Sequence, residues 1–354
     1  MLFSHSAEWW LGPGQQTAFK SAVTGALGVE VFFSLSGFLI GGILLRSIHA
    51  GGFGPRAIGL FWTRRWMRTL PAYWAMLLLL NWHFGTADWR SFLFLQNFVS
   101  RTQWTPLTPH TWSLTLEEWF YLLVPIGAWA ALAVVRRTWA LPALCMALIA
   151  GCTAGRWLVG TDPAPFWGPQ PGQNPILRLD CAAWGVLAAC LVRREPMTRG
   201  AARGALLAGL ALIAALSCVS LALYEPERLV PWGVAWWAWA WWPLHPSLEG
   251  LAAAGIVLGL HRLMPHGPPL LGAAAGAVSA LSYSLYLVHV PVIFLCRAAG
   301  VDDAAGWGPR LSISLAVVGA ALAMRYGVER PVLALRDRVV PDRQRAQPAL
   351  AAAG

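Results

Sequence analysis

Apolar stretches long enough to cross a lipid bilayer run almost from one end of this chain to the other, separated only by short polar breaks. A helix needs about 20 residues to cross the hydrocarbon, and no backbone N–H or C=O can be left unpaired there. The pattern therefore predicts an all-α, polytopic transmembrane bundle. Composition agrees, because 57% of the 354 residues are hydrophobic and 12% are charged, against roughly 45–50% and 25% in soluble domains. Spans are expected at about 27–46, 66–84, 113–135, 139–158, 177–192, 203–224, 246–262, 273–296 and 311–330, making about nine complete spans. One membrane domain over 1–335 and a basic, Ala-rich tail over 336–354 are the expected organisation.

The net charge of +10 comes from 25 arginines and one lysine. If the first span runs inward, alternate connections hold 17 of the 26 basic residues, among them Arg46, Arg56, Arg136, Arg137, Arg193, Arg194, Arg262 and Arg336. The positive-inside rule then makes those connections and the C-terminus cytoplasmic, in an inner membrane. The basic charge is thus read as orientation, and no nucleic-acid partner is expected. Cys145, Cys152, Cys181, Cys190, Cys218 and Cys296 lie in or beside apolar spans without a CxxC pair or a histidine at ligand spacing. They read as small buried hydrophobes, and no metal site is expected.

Polar groups at membrane depth are costly, so they are where function is sought. In GVEVFFSLSGFLIGG, residues 28–42, the small residues suit close helix packing, whereas packing does not call for a carboxylate at Glu30. In RRWMRTLPAYW, Arg64, Arg65 and Arg68 are three and four apart and project from one helix end. They serve either topology or the phosphates of a donor such as a CoA thioester. In HTWSLTLEEWFYLLVP, Ser113 is expected to cap a helix whose first turn holds Glu117 and Glu118. Two carboxylates among Trp112, Trp119 and Tyr121 also suit a sugar. In YSLYLVHVP, His289, one turn after Tyr286, is either an interhelical hydrogen-bond partner or a catalyst. Arg178 and Asp180 pair with one another or with a neighbour. The tryptophan-rich run 232–242 reads as an interfacial belt.

At these residues the sequence resembles the membrane-bound acyltransferase family 3, which includes surface-polysaccharide O-acetyltransferases. GVEVFFSLSGFLI, the RRxxR stretch before LPAYW, WSLTLEEWFYLLVP, LRLDCAAWGVLAA, SYSLYLVHVP and YGVERP occur in the family's order over nearly the whole chain. The resemblance implies ten core helices and transfer of an acyl group, expected to be acetyl, from cytosolic acyl-CoA to a hydroxyl of a sugar or glycan outside. Acyl-CoA is then a co-substrate, and no permanently bound cofactor is expected. The resemblance further implies that Arg65 and Arg68 handle the donor, that Ser36 and Gly37 form the SGFL turn, and that Glu117 is the acid of the WSL motif. The donor is then expected at Arg64, Arg65, Arg68 and Ser36 and the acceptor outside near Glu30, Glu117, Arg178 and Asp180, with Glu30 and Glu117 catalytic. His5 matches the family's essential histidine and is implied to act as general base or as an acylated intermediate. The rest of the family's first helix is absent from MLFSHSAEWW, which leaves a stub. In-frame codons upstream are therefore expected to encode about 15–20 further apolar residues. The rival expectations are a transporter or lipid-linked sugar flippase using Glu30, His289 and Arg325, or an inactive remnant.

Overall fold

The computed structural model describes residues 26–85, 88–98, 108–159, 174–194, 197–224, 237–264, 269–301 and 306–341. In chain order the long helices are α1 (Ala26–His49), α2 (Pro55–Phe84), α3 (Trp112–Val134), α4 (Arg137–Val159), α5 (Leu179–Arg194), α6 (Arg199–Tyr224), α7 (Trp237–Leu263), α8 (Pro269–Ala298), α9 (Trp307–Met324) and α10 (Arg330–Val339). No strand occurs among the described residues. Every stretch expected to span is helical, and among the described residues six segments are long and apolar enough to cross a membrane: Gly28–His49, Pro109–Val134, Trp139–Val159, Arg199–Ser220, Ala275–Ala298 and Trp307–Val339. Three of the expected spans fall short of that measure. α5 has 16 residues, while α2 carries four arginines and α7 carries two prolines and Glu249, which dilute their apolar runs. The start of the tryptophan run, 232–236, lies outside the described residues.

The helices fall into two compact units, one of Met1–Phe53 with Leu93–Ala274, the other of Gly54–Phe92 with Ala275–Gly354. The first unit is built on α1 and α5. Along α1, Phe33, Ile40, Leu44 and Ile48 are buried while Phe32, Leu35 and Leu39 are exposed. An apolar helix of this kind turns one stripe to its neighbours and the rest to lipid. The stripe is lined with small residues, so the two backbones approach closely. A Cβ at Gly37 would run into the Ala182 carbonyl, and one at Gly185 would run into the Ser34 carbonyl. With Gly41 against Val186 and Ala189, these contacts advance together, so α1 and α5 run parallel. Ser34 Oγ donates to the carbonyls of Cys181 (3.2 Å) and Gly250 (3.0 Å), tying α1, α5 and α7 together. α6 packs antiparallel on α7, with Gly209 against Ala252 and Gly259 against Ala202 and Leu206.

In the second unit α2 starts at Pro55, which needs no N–H donor in that first position, and stops at Gly85, whose φ of 63° suits glycine. Tyr73 Oη donates to the Ser91 carbonyl at 2.9 Å and Trp74 Nε1 to that of Phe92 at 3.0 Å, fixing the short helix Trp89–Phe92. Tyr283 Oη on α8 reaches the Thr69 carbonyl of α2 at 2.6 Å. α9 passes into α10 through a π-helical turn, Arg325–Glu329. Turns of this kind cost regular hydrogen bonding and tend to mark functional positions.

Candidate active site

Three sequence motifs meet in the first unit. The second and third turns of α1 supply Glu30, Phe33 and Ser36; the start of α3 supplies Trp112, Glu117 and Tyr121; the turn before α5 and its first residues supply Arg178 and Asp180. Glu117 Oε1 accepts hydrogen bonds from Tyr121 Oη and, at 3.1 Å, from Ser36 Oγ, and the two hydroxyls are 2.9 Å apart. Ser36 and Tyr121 are buried and Glu117 is half-buried, so this carboxylate keeps access from one side. Beside it Arg178 Nη2 donates to Glu30 Oε1. The Arg178 guanidinium also lies 5.9 Å over the Trp112 ring, which meets Phe33 edge-on at 6.0 Å.

Asp180 faces a different cation. Arg156 holds it bidentately, Nη1 to Oδ1 at 3.1 Å and Nη2 to Oδ2 at 2.6 Å, with both side chains at 3% exposure or less. Arg178 and Asp180 therefore do not pair with one another: a 3-10 turn, Ile176–Arg178, leads into α5 and presents them to different helices. Arg156 also donates to the carbonyls of Leu177 and, through Nε at 2.7 Å, Pro243. A guanidinium with five N–H donors in a fixed fork suits that role.

Several expectations need correction. α3 begins at Trp112 rather than after Ser113, because the 3-10 turn Pro109–Thr111 feeds straight into it. Ser113 accordingly lies inside the helix, bonded to the His110 carbonyl at 3.4 Å, and caps nothing. Glu117 and Glu118 fall in the second turn, beyond the strongest pull of the helix dipole. The small residues of α1 do serve packing, as the glycine contacts show, but Ser36 also belongs to the Glu117 cluster. Cys145, Cys152, Cys181 and Cys190 are buried, whereas Cys218 is exposed and Cys296 half-buried.

In the second unit Arg64, Arg65 and Arg68 lie well inside α2, since Pro55 starts the helix earlier than the sequence suggested. Arg64 donates to the Val340 carbonyl and stands 3.8 Å from Asp337, which ties it to the end of α10. The Arg65 guanidinium lies 5.9 Å over the Phe61 ring, and Arg68 is exposed. His289 is buried and turns Nδ1 to the Tyr286 carbonyl of its own helix at 2.7 Å; the rings of Tyr286 and His289 are 6.0 Å apart. The expected interhelical bond is thus replaced, at Nδ1, by one within α8. Two further motifs meet here. Ser284 Oγ donates to Glu329 Oε2 at 2.8 Å, and Arg325 Nη1 to Glu329 Oε1 at 2.6 Å, so the π-turn presents the carboxylate of YGVERP to α8. His5 lies outside the described residues.

Sequence reasoning passed over Arg156, His245 and Glu249. Arg156 lies within the apolar helix α4, and an arginine there is itself a signal. His245 and Glu249, one turn apart beside two prolines, carry the same signal, and Ser220 carries none.

No solved structure matches this chain. Among proteins with curated names, peptidoglycan O-acetyltransferase OatA of Listeria monocytogenes is 28% identical over 175 residues, covering 41% of this chain and 27% of that protein. A Bacillus subtilis protein provisionally named as a peptidoglycan O-acetyltransferase is 30% identical over 189 residues, covering 46% and 29%. A Staphylococcus aureus (strain COL) protein provisionally named as an O-acetyltransferase is 30% identical over 122 residues, covering 29% and 20%. The matched segments thus span less than a third of those relatives' own lengths. Residues 1–325 match the family described as Acyltransferase domain, a range that holds the motifs meeting around Glu117 and ends at the start of the turn that carries Glu329. With its apolar helices, the chain is a multi-pass membrane protein that belongs to this acyltransferase family.

Proposed function

We propose that the chain moves an acetyl group from cytosolic acetyl-CoA to a hydroxyl of a glycan on the outer face of a bacterial inner membrane. The observation that carries this reading is the Ser36–Tyr121–Glu117 cluster, a half-buried carboxylate held by two hydroxyls where two motifs of the family meet. A carboxylate fixed in this way accepts a hydrogen bond from an acceptor hydroxyl and orients it for attack. His5 then takes the hydroxyl proton, either directly or after carrying the acetyl group itself. Arg65 and Arg68 bind the donor's phosphates, since guanidinium forks match phosphate oxygens. Arg64, engaged by Val340 and Asp337, positions that helix instead. The names of the relatives favour an acceptor built from N-acetylated sugars, as peptidoglycan is.

The test uses the full chain in proteoliposomes with acetyl-labelled acetyl-CoA and a chitooligosaccharide acceptor. Label is expected as an alkali-labile ester on the oligosaccharide, with free CoA released in equal amount. Movement of oligosaccharide across the membrane without consumption of the thioester sinks the reading in favour of a flippase.

A further inference from the structure

A second set of polar side chains lies between α6 and α7 in the first unit, outside the motifs that carry the family likeness. Ser220 Oγ stands 2.9 Å from His245 Nε2, and His245 Nδ1 stands 3.5 Å from Glu249 Oε2. His245 and Glu249 are 2% and 6% exposed, whereas Ser220 is half-buried and reachable. The Trp241 ring, 4.8 Å away, steadies the imidazole. Arg156 bonds the Pro243 carbonyl two residues earlier, so the set adjoins the Arg156–Asp180 pair.

Packing does not account for this arrangement. α6 and α7 are already joined through glycines 209, 255 and 259. A serine–histidine bond between helices needs no ionisable partner, because a neutral amide carbonyl would serve the remaining ring nitrogen. Glu249 Oε2 nevertheless sits buried with no hydrogen bond, which costs free energy that a glutamine or leucine would spare. That oxygen faces His245 Nδ1, and the Arg178 charge also acts on the carboxyl. Hydroxyl, imidazole and carboxylate in this order form the arrangement that turns a serine into a nucleophile, whatever fold carries it.

We propose that Ser220, His245 and Glu249 form an acyl way-station, in which Ser220 holds the acetyl group as an ester between donor and acceptor. This inference rests on the acyl-transfer reading above. Ser220 Oγ attacks the thioester carbonyl while His245 Nε2 takes its proton. The C–S bond breaks, and His245 returns the proton to the leaving sulfur. In this route the acceptor hydroxyl attacks the serine ester and loses its proton to His245, which takes the place that His5 has in direct transfer. The ester C–O bond breaks, and the proton goes back to Ser220 Oγ. Glu249 holds the imidazole with Nδ1–H toward it and stabilises the imidazolium.

The test is rapid acid quenching of the purified full chain in nanodiscs with labelled acetyl-CoA, followed by peptide mapping. Label is expected on the peptide holding Ser220 and is expected to move to a chitooligosaccharide added with excess unlabelled acetyl-CoA. Neutral hydroxylamine should spare this ester and release the label from Ser220→Cys, which would carry a thioester. Ser220→Ala, at unchanged folded yield, should lower transfer about 100-fold or more, the scale of a lost nucleophile and base. Transfer at the wild-type rate in Ser220→Ala, or label on Ser220 that never reaches acceptor, overturns the way-station and leaves the acyltransferase reading standing. If the wild-type chain neither acquires label nor acetylates acceptor, both readings fall.

Discussion

The two units treat their charges in opposite ways. In the first, Arg156, Asp180, Arg178 and Glu30 are buried and paired between different segments of the chain, so the ion pairs are part of how α1, α4 and α5 pack. In the second, Arg325 pairs with Glu329 one turn along the same chain segment, the Arg64–Asp337 pair between α2 and α10 is open to its surroundings, and Arg68 on α2 is exposed. The tight glycine contacts are in the first unit, although Gly151 and Gly204 there meet nothing. Gly37 and Gly185 are pressed against a neighbouring backbone, while nothing lies within 4 Å of a Cβ built at Gly276 on α8. A region held by interlocking buried charges has little freedom to rearrange, which suits the acceptor site proposed above. A region that leaves arginines exposed suits the proposed binding of a large, phosphorylated donor.

The largest expected effect comes from breaking a buried pair. Asp180→Ala leaves Arg156 without its carboxylate and should cost about 3–5 kcal/mol, seen as loss of folded protein in detergent. The double change Arg156→Met with Asp180→Leu should recover most of that loss, because no buried charge then lacks a partner. An Asp180→Ala variant as stable as the parent would remove the first half of the comparison. Next comes Glu117→Gln, which keeps the shape of the cluster and the folded yield. It should lower acetyl transfer about 100-fold, in the range of a lost acid-base group. A variant that transfers at the parental rate takes Glu117 out of the site.

Smaller effects sharpen the contrast in packing. Gly185→Ala should destabilise by about 1–3 kcal/mol, since the colliding atom is a backbone carbonyl that cannot swing aside. Gly276→Ala should instead leave stability equal or raise it by about 0.4–1 kcal/mol by restricting the unfolded chain. Thermal melts of the two variants side by side decide this, and a shared sign would mean that the units pack alike. The smallest effect is expected at Arg68. Arg68→Ala should change stability by no more than about 0.5 kcal/mol. The KM for acetyl-CoA should rise about tenfold, roughly one charge-assisted hydrogen bond. Arg68→Lys should restore only part of that affinity, because a lysine cannot form the bidentate fork.

Much of this protein is determined by the sequence alone, for reasons that are local. Helices at every apolar stretch follow from the rule that lipid leaves no backbone group unpaired, which needs no knowledge of neighbours. Glu30, Ser36, Glu117 and Arg178 could be singled out as candidates because a polar group in an apolar helix is conspicuous wherever it ends up. Which group meets which was not legible. Arg178 and Asp180 are two residues apart, yet one turns to Glu30 across 148 positions of sequence and the other to Arg156. Ser220 shows no sign of a role until α6 folds back along α7 and brings it to His245. The start of α3, set by a 3-10 turn, moved Glu117 out of the first turn and into reach of Ser36. Hydrophobicity and backbone pairing act along the chain and can be read from it. Ion pairs and proton relays act between helices, so only the tertiary structure decided them.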